Sequence, residues 1–136
     1  MRDCVSLENE AHAIAEWLLD RKTAGYQWGE MAVLFPRHFI GKRFEKILAK
    51  SDIPVDMVKD HGNRVQKDRD AVRFLSMHNA KGLEFPCVAI GGLGELKKLE
   101  EIDDDIRLTY VAITRATHEA FITYSYMSEL VSRMVV

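Results

Sequence analysis

Apolar and polar positions follow two rhythms along this chain. Leu7, Ala11, Ile14, Ala15, Leu18 and Leu19 recur at helical spacing and predict an amphipathic helix from residue 7 to about residue 23. Ser6 is placed to cap it, Glu8 and Glu10 suit its positive end, and Gly25 can terminate it. Met31 to Phe35 (MAVLF) is an unbroken apolar run of strand length. Ile40, Phe44, Ile47 and Leu48 form a second helical stripe, with Lys42, Arg43, Lys46 and Lys50 off that face. Ile53-Pro54 stops it, because the residue before proline disfavours the helical region. Met1–Val5, Val55–Val58, Val72–Met77, Cys87–Ile90 and Ala120–Tyr124 read as further strands. Lys59–Arg73 reads as a mostly exposed loop, and Gly91, Gly92 and Gly94 loosen the chain after Ile90. Asp103-Asp104-Asp105 opens a helix on its favourable end, running to about Ala116. Met127–Val136 fits either a docked helix or a partner-seeking tail. Strands alternating with helices predict an α/β fold with a parallel-rich sheet and right-handed crossovers.

At 136 residues the chain is expected to be one domain, 1–136, with a core of its own. A net charge of −2 excludes a uniformly basic nucleic-acid coat but leaves room for a local basic face. The two cysteines, Cys4 and Cys87, lie in apolar runs far apart, which predicts buried reduced thiols and no metal site. No apolar run approaches membrane-spanning length and no leader pattern opens the chain, so a soluble cytoplasmic protein is expected.

Chemistry concentrates in two stretches, Ser76–Ala89 (SMHNAKGLEFPCVA) and Arg107–Ala116 (RLTYVAITRA). Polar loops at the ends of buried strands are where α/β sheets carry their sites. Arg115 offers a permanently charged fork for phosphate oxygens, or else a surface salt bridge. Glu84 can accept from sugar hydroxyls, or cap a backbone amide. Gly82 permits a turn or a close backbone approach. Ser76 and His78 can donate to phosphates without reading sequence, or be structural; Lys81 suits a phosphate or a carboxylate equally.

The run His78-x-x-Lys81-Gly82-Leu83-Glu84-Phe85-Pro86 resembles motif V of the UvrD/Rep/PcrA group of superfamily-1 DNA helicases. Arg107-Leu108-x-Tyr110-Val111-Ala112-Ile113-Thr114-Arg115-Ala116 resembles their motif VI, and Ala32–Phe35 with its following basic helix resembles motif IV. These occupy about residues 76–90, 103–116 and 31–48, so the resemblance covers nearly the whole chain. It implies the second RecA-like motor domain, a three-layer α/β domain lacking its own Walker A loop. It further implies an ATP site with Arg115 as arginine finger, Glu84 on the ribose and Phe35 stacked on adenine. Gly82, Arg37, Arg107 and Thr114 would complete that site, with Ser76, His78 and Lys81 on DNA. ATP and Mg would be held mainly by an N-terminal helicase domain, which is the implied protein partner beside single-stranded or duplex DNA.

Three features depart from that pattern. Pro36 stands where the family has an arginine, with Arg37 following it, and Ile106 replaces the first of two arginines. Only Lys59–Arg73 occupies the place of the family's large 2B insertion, which points to a relative without 2B, the alternative being a chain from which 2B has been cut out. Neither GxxxxGK[ST] nor an acidic Walker B run is present, so the chain alone is expected to be inactive as an ATPase. The reading is therefore half of an ATP-dependent, 3′-to-5′ DNA helicase or translocase. The alternative is a non-catalytic helicase-derived module that binds DNA or a repair protein. A flavodoxin-like domain would need a phosphate loop after the first strand, and Cys4–Glu8 contains no glycine.

Overall fold

The computed structural model describes residues 2–3, 6–58, 69–93 and 102–124, with side chains described only from Ser6 onward and, in the last segment, from Arg107. The expectations for Cys4, for residues 59–68, for Gly94, for the side chain of Ile106 and for Met127–Val136 lie outside those residues.

Helix α1 (Leu7–Thr23) begins where Ser6 Oγ accepts the Asn9 N–H at 3.1 Å, which satisfies one of the orphan amides of the first turn. It ends at Ala24, and Gly25 follows at φ +112, a conformation that glycine adopts without a Cβ penalty. Helix α2 (His38–Lys50) buries Ile40, Gly41, Phe44 and Leu48. Around them run strands β1 (Arg2–Asp3), β2 (Met31–Phe35), β3 (Val55–Met57), β4 (Val72–Ser76), β5 (Phe85–Ile90) and β6 (Ala116–Tyr124), with helix α3 (Ile102–Ile113) between the last two. The sheet order is β1-β6-β5-β2-β4-β3 and every pairing is parallel. β2, in the middle, is buried along its whole length, as expected of a strand covered on both faces.

Side chains alternate between two cores. Val33, Phe35, Phe74, Cys87 and Ala89 pack under α1 and α2. Ala32, Leu34, Leu75, Val88 and Ile90 pack on the other face with Leu108 and Ala112 of α3. The sheet with a layer on each face is the expected three-layer α/β arrangement. A buried polar tie joins α1 to the sheet: Glu10 accepts from Gly92 N–H at 2.9 Å and from the Thr123 hydroxyl at 2.8 Å. Among the described residues no helix is long and apolar enough to cross a membrane.

Several boundaries differ from the sequence reading. α3 stops at Ile113 rather than near Ala116, and β6 starts at Ala116 rather than Ala120. Parallel pairing with β5 captures those residues: the Phe85 N–H donates to the Arg115 carbonyl at 2.8 Å. β5 likewise begins at Phe85, with Pro86 accommodated at a register shift where β6 carries an extra residue. Leu19, expected on the buried stripe of α1, is 41% exposed, because the sheet covers a narrower arc of the helix than the apolar pattern spans.

Candidate functional site

The site is built by the connection between β4 and β5. These strands are parallel with β2 between them, so the chain must travel back along the sheet before β5 can start. It does so in eight residues, 77–84, without a helix. At the carboxyl end, Met77 N–H donates to the Phe35 carbonyl at 2.9 Å and Asn79 N–H to Ser76 Oγ at 3.1 Å. Met77 and Ala80 are buried in the second core and anchor the connection, whereas His78 and Lys81 are exposed. Ala80 to Leu83 then forms a turn closed by Leu83 N–H on the Ala80 carbonyl at 3.1 Å. Gly82 sits at φ +81, the value that a type II turn requires at its third position. One short segment thus carries Ser76 and His78 at one edge of the sheet and Gly82 and Glu84 at the other.

At that second edge, Glu84 and Arg115 immediately precede the paired residues Phe85 and Ala116 of adjacent strands. Their backbones therefore lie about 5 Å apart, the spacing of neighbouring strands. The two side chains do not pair with each other. Arg115 folds back on the last turn of α3: its Nε donates to the Val111 carbonyl at 3.1 Å and its guanidinium to Thr114 Oγ1 at 3.2 Å. Thr114 donates in turn to the Val111 carbonyl at 2.7 Å. These bonds satisfy carbonyls at a helix end and place a cation where the helix is negative. Glu84 is exposed, and no side chain of the described residues pairs with it.

A cavity of about 550 Å³ opens beside Glu84, lined on one side by Gly82–Pro86 and on the other by Gln27, Gly29, Glu30, Arg69, Asp70 and Arg73. Its far wall is fixed by polar bonds. Gly29 N–H donates to Asp70 at 2.8 Å, and Arg73 donates to the Arg69 carbonyl at 2.7 Å while pairing with Asp56 at 3.3 Å. The sequence pattern did not single out these wall residues. The available signal was Arg73, a guanidinium set within the otherwise apolar run Val72–Leu75.

The structure divides the residues expected on one nucleotide. Gly82, Glu84, Thr114 and Arg115 share an edge. Arg107 lies two turns up α3 and Arg37 caps the start of α2 at the opposite edge, beside Ser76. Phe35, expected to stack on adenine, is fully buried: its ring lies beneath Gly41 and 6.2 Å from the Phe74 ring. It is a core side chain because β2 is central and α2 folds directly over its end. Phe35 pairs with Ser76 on β4 and is one residue beyond the Leu34–Ile90 pair, so it stands about 20 Å along the sheet from Phe85.

A second polar cluster lies behind β5. Arg21 grips both oxygens of Glu119, at 2.5 and 2.7 Å, and lies 5.9 Å from the Trp17 ring, which stacks on Phe121 at 5.4 Å. The hydrogen bonds from Arg21 hold the Glu119 carboxyl below its ordinary range. Burial pushes the neighbouring Cys87 thiol up, in keeping with a buried reduced cysteine.

Comparison with known proteins places this geometry. The chain is 33% identical over 128 residues to the ATP-dependent DNA helicase Rep of Buchnera aphidicola from Acyrthosiphon pisum, covering 87% of this chain and 17% of that protein. It is 33% identical over 110 residues to the ATP-dependent DNA helicase PcrA of Bacillus subtilis, covering 71% of this chain and 15% of that one. The chain thus spans about a sixth of the length of these curated relatives. The fold is similar to that of the crystal structure of the C-terminal domain of a possible DNA helicase from Lactobacillus plantarum WCFS1. The TM-score is 0.74 at 22% identity, over 93% of this chain and 73% of that one. A family model, the UvrD-like helicase C-terminal domain, matches residues 58–127, from the end of β3 past β6, and the chain belongs to that family.

Proposed function

We propose that this chain is the C-terminal motor lobe of an ATP-dependent DNA helicase or translocase, inactive alone and completed by an N-terminal lobe that carries the phosphate loop and Mg. The observation that carries the reading is the juxtaposition of Glu84 and Arg115 on adjacent strand starts, not paired with one another, with a cavity opening beside Glu84. An exposed carboxylate suits ribose hydroxyls and a guanidinium suits phosphate oxygens. A carboxylate and a guanidinium so placed can hold the two ends of a nucleotide without neutralising each other. ATP supplies the transferable γ-phosphoryl group, and Arg115 stabilises the charge that develops on it as the lobes close. To do so it exchanges its bonds to Val111 and Thr114 for phosphate oxygens, and Thr114 keeps the helix end capped. Gly82 sets the turn that presents Glu84. Arg107 and Arg37 lie farther away; Arg37 stands at the edge of the sheet that carries Ser76 and His78, which with Lys81 are the side chains for the DNA backbone.

The test joins the chain to its N-terminal lobe and measures DNA-stimulated ATP hydrolysis. Removing a charge-stabilising arginine of this kind costs about 10³-fold or more in kcat. Arg115→Ala is therefore expected to abolish turnover while leaving nucleotide binding within a few fold, and Arg115→Lys is expected not to rescue it. A pair that is indifferent to Arg115→Ala supports the second reading, a non-catalytic module, which the Pro36 and Ile106 departures favour. Turnover by the isolated chain would contradict the proposal outright.

A further inference from the structure

The outer face of α2 is not used by the site above. Phe39 opens it on the first turn of the helix and is 49% exposed. Lys42, Lys46 and Lys50 follow at helical spacing on the same solvent side, and all are exposed. None of these three lysines forms an ion pair among the described residues, whereas Arg21, Arg43 and Arg73 each hold a carboxylate. From Pro36 to Phe44 the chain carries four basic or imidazole side chains and no acid. The face begins at the carboxyl end of β2, next to Ser76, which pairs with Phe35, and next to the His78 turn.

We infer that the outer face of α2 is a track for single-stranded DNA, with Phe39 stacking on one unpaired base and Lys42, Lys46 and Lys50 meeting successive phosphates. The inference rests on the reading that Ser76 and His78 meet a DNA backbone, and extends that contact along the helix. An exposed aromatic ring at the head of a cationic ridge combines the two features by which proteins hold single strands: a stacking platform and an electrostatic groove. Phe39 to Lys50 spans about 17 Å of helix at 1.5 Å per residue, enough for a few nucleotides. Solvation alone explains the lysines but not a half-exposed phenyl ring beside them.

The two parts of the track have separable signatures. Binding of a fluorescein-labelled oligodeoxythymidylate to the purified chain would be followed by anisotropy over a salt series. Phe39→Ala is expected to weaken binding about 5- to 100-fold, the loss of one stacked base, at an unchanged salt slope. Phe39→Trp is expected to restore affinity, with its added emission quenched by the oligonucleotide. The Lys42→Ala/Lys46→Ala/Lys50→Ala variant is expected to flatten the slope of log affinity against log salt by about 2, for three phosphates at about 0.7 each. All of these side chains are exposed, so an unchanged melting temperature confirms intact folding. If Ser76→Ala and His78→Ala weaken binding while both α2 variants keep the parent affinity and slope, the track is refuted and the DNA reading stands. Failure of the parent chain to bind at low salt refutes both. Equal competition by blunt duplex refutes the assignment to a single strand.

Discussion

Gly41 offers a direct test of where the Phe35 ring sits. A Cβ added at Gly41 would lie 2.3 Å from Phe35 Cζ and 2.6 Å from both Cε atoms, well inside any real carbon–carbon contact. Gly41→Ala therefore combines two opposing effects. Alanine in a helix interior is favoured over glycine by about 1 kcal/mol. Forcing a methyl into a packed core costs about 1–3 kcal/mol, and three ring atoms met together put this site at the upper end. The clash wins, leaving the variant about 2 kcal/mol less stable, with Tm lower by about 6–10 °C for a chain of this size. Phe35→Leu removes the atoms that the methyl would strike. The double variant should then be less destabilised than the sum of the singles, with a coupling of about 1–2 kcal/mol. Urea and thermal unfolding followed by circular dichroism measure all four corners of the cycle. If Gly41→Ala instead stabilises the chain by about 1 kcal/mol and the two changes add, the ring does not lie under α2. Phe35 would then be free to swing out and stack on a base, and the core assignment would be wrong.

Two further predictions concern the polar ties. Glu10→Ala leaves the Gly92 N–H and the Thr123 hydroxyl without their acceptor in a buried place, and should cost about 2–4 kcal/mol in urea unfolding, with Glu10→Gln milder. Glu119 is held by Arg21 below the ordinary carboxylate value of 4.5, so the pair stabilises the folded chain above that value and loses its contribution as pH falls through the lower folded pKa. Glu119→Gln should accordingly lower Tm at neutral pH, and its gap to the parent should close on acidification. A gap that stays constant with pH would show that the ion pair contributes nothing.

Much of this fold was legible in the chain. The MAVLF run, the stripes of α1 and α2 and the Ser6 cap each carried a local physical signature, and each appears where expected. The misses share one cause. The residues from Ala116 to Glu119 are recruited into β6 by pairing with β5, a contact between segments about thirty residues apart that no local pattern encodes. Leu19 has the hydrophobicity of a core residue, but the width of the covering sheet left it exposed.

The chemistry divides in the same way. The residue types at His78, Lys81, Gly82, Glu84, Thr114 and Arg115, and their order, carried the resemblance to motifs V and VI, because the side-chain types are read directly from the sequence, and the family match covers them. Which of them face one another was decided only by the tertiary structure. Parallel pairing of β5 with β6 sets Glu84 against Arg115, and the same parallel register carries Phe35 and Arg37 to the far edge. Proximity across a sheet follows from strand order and register, which depend on how every segment packs at once.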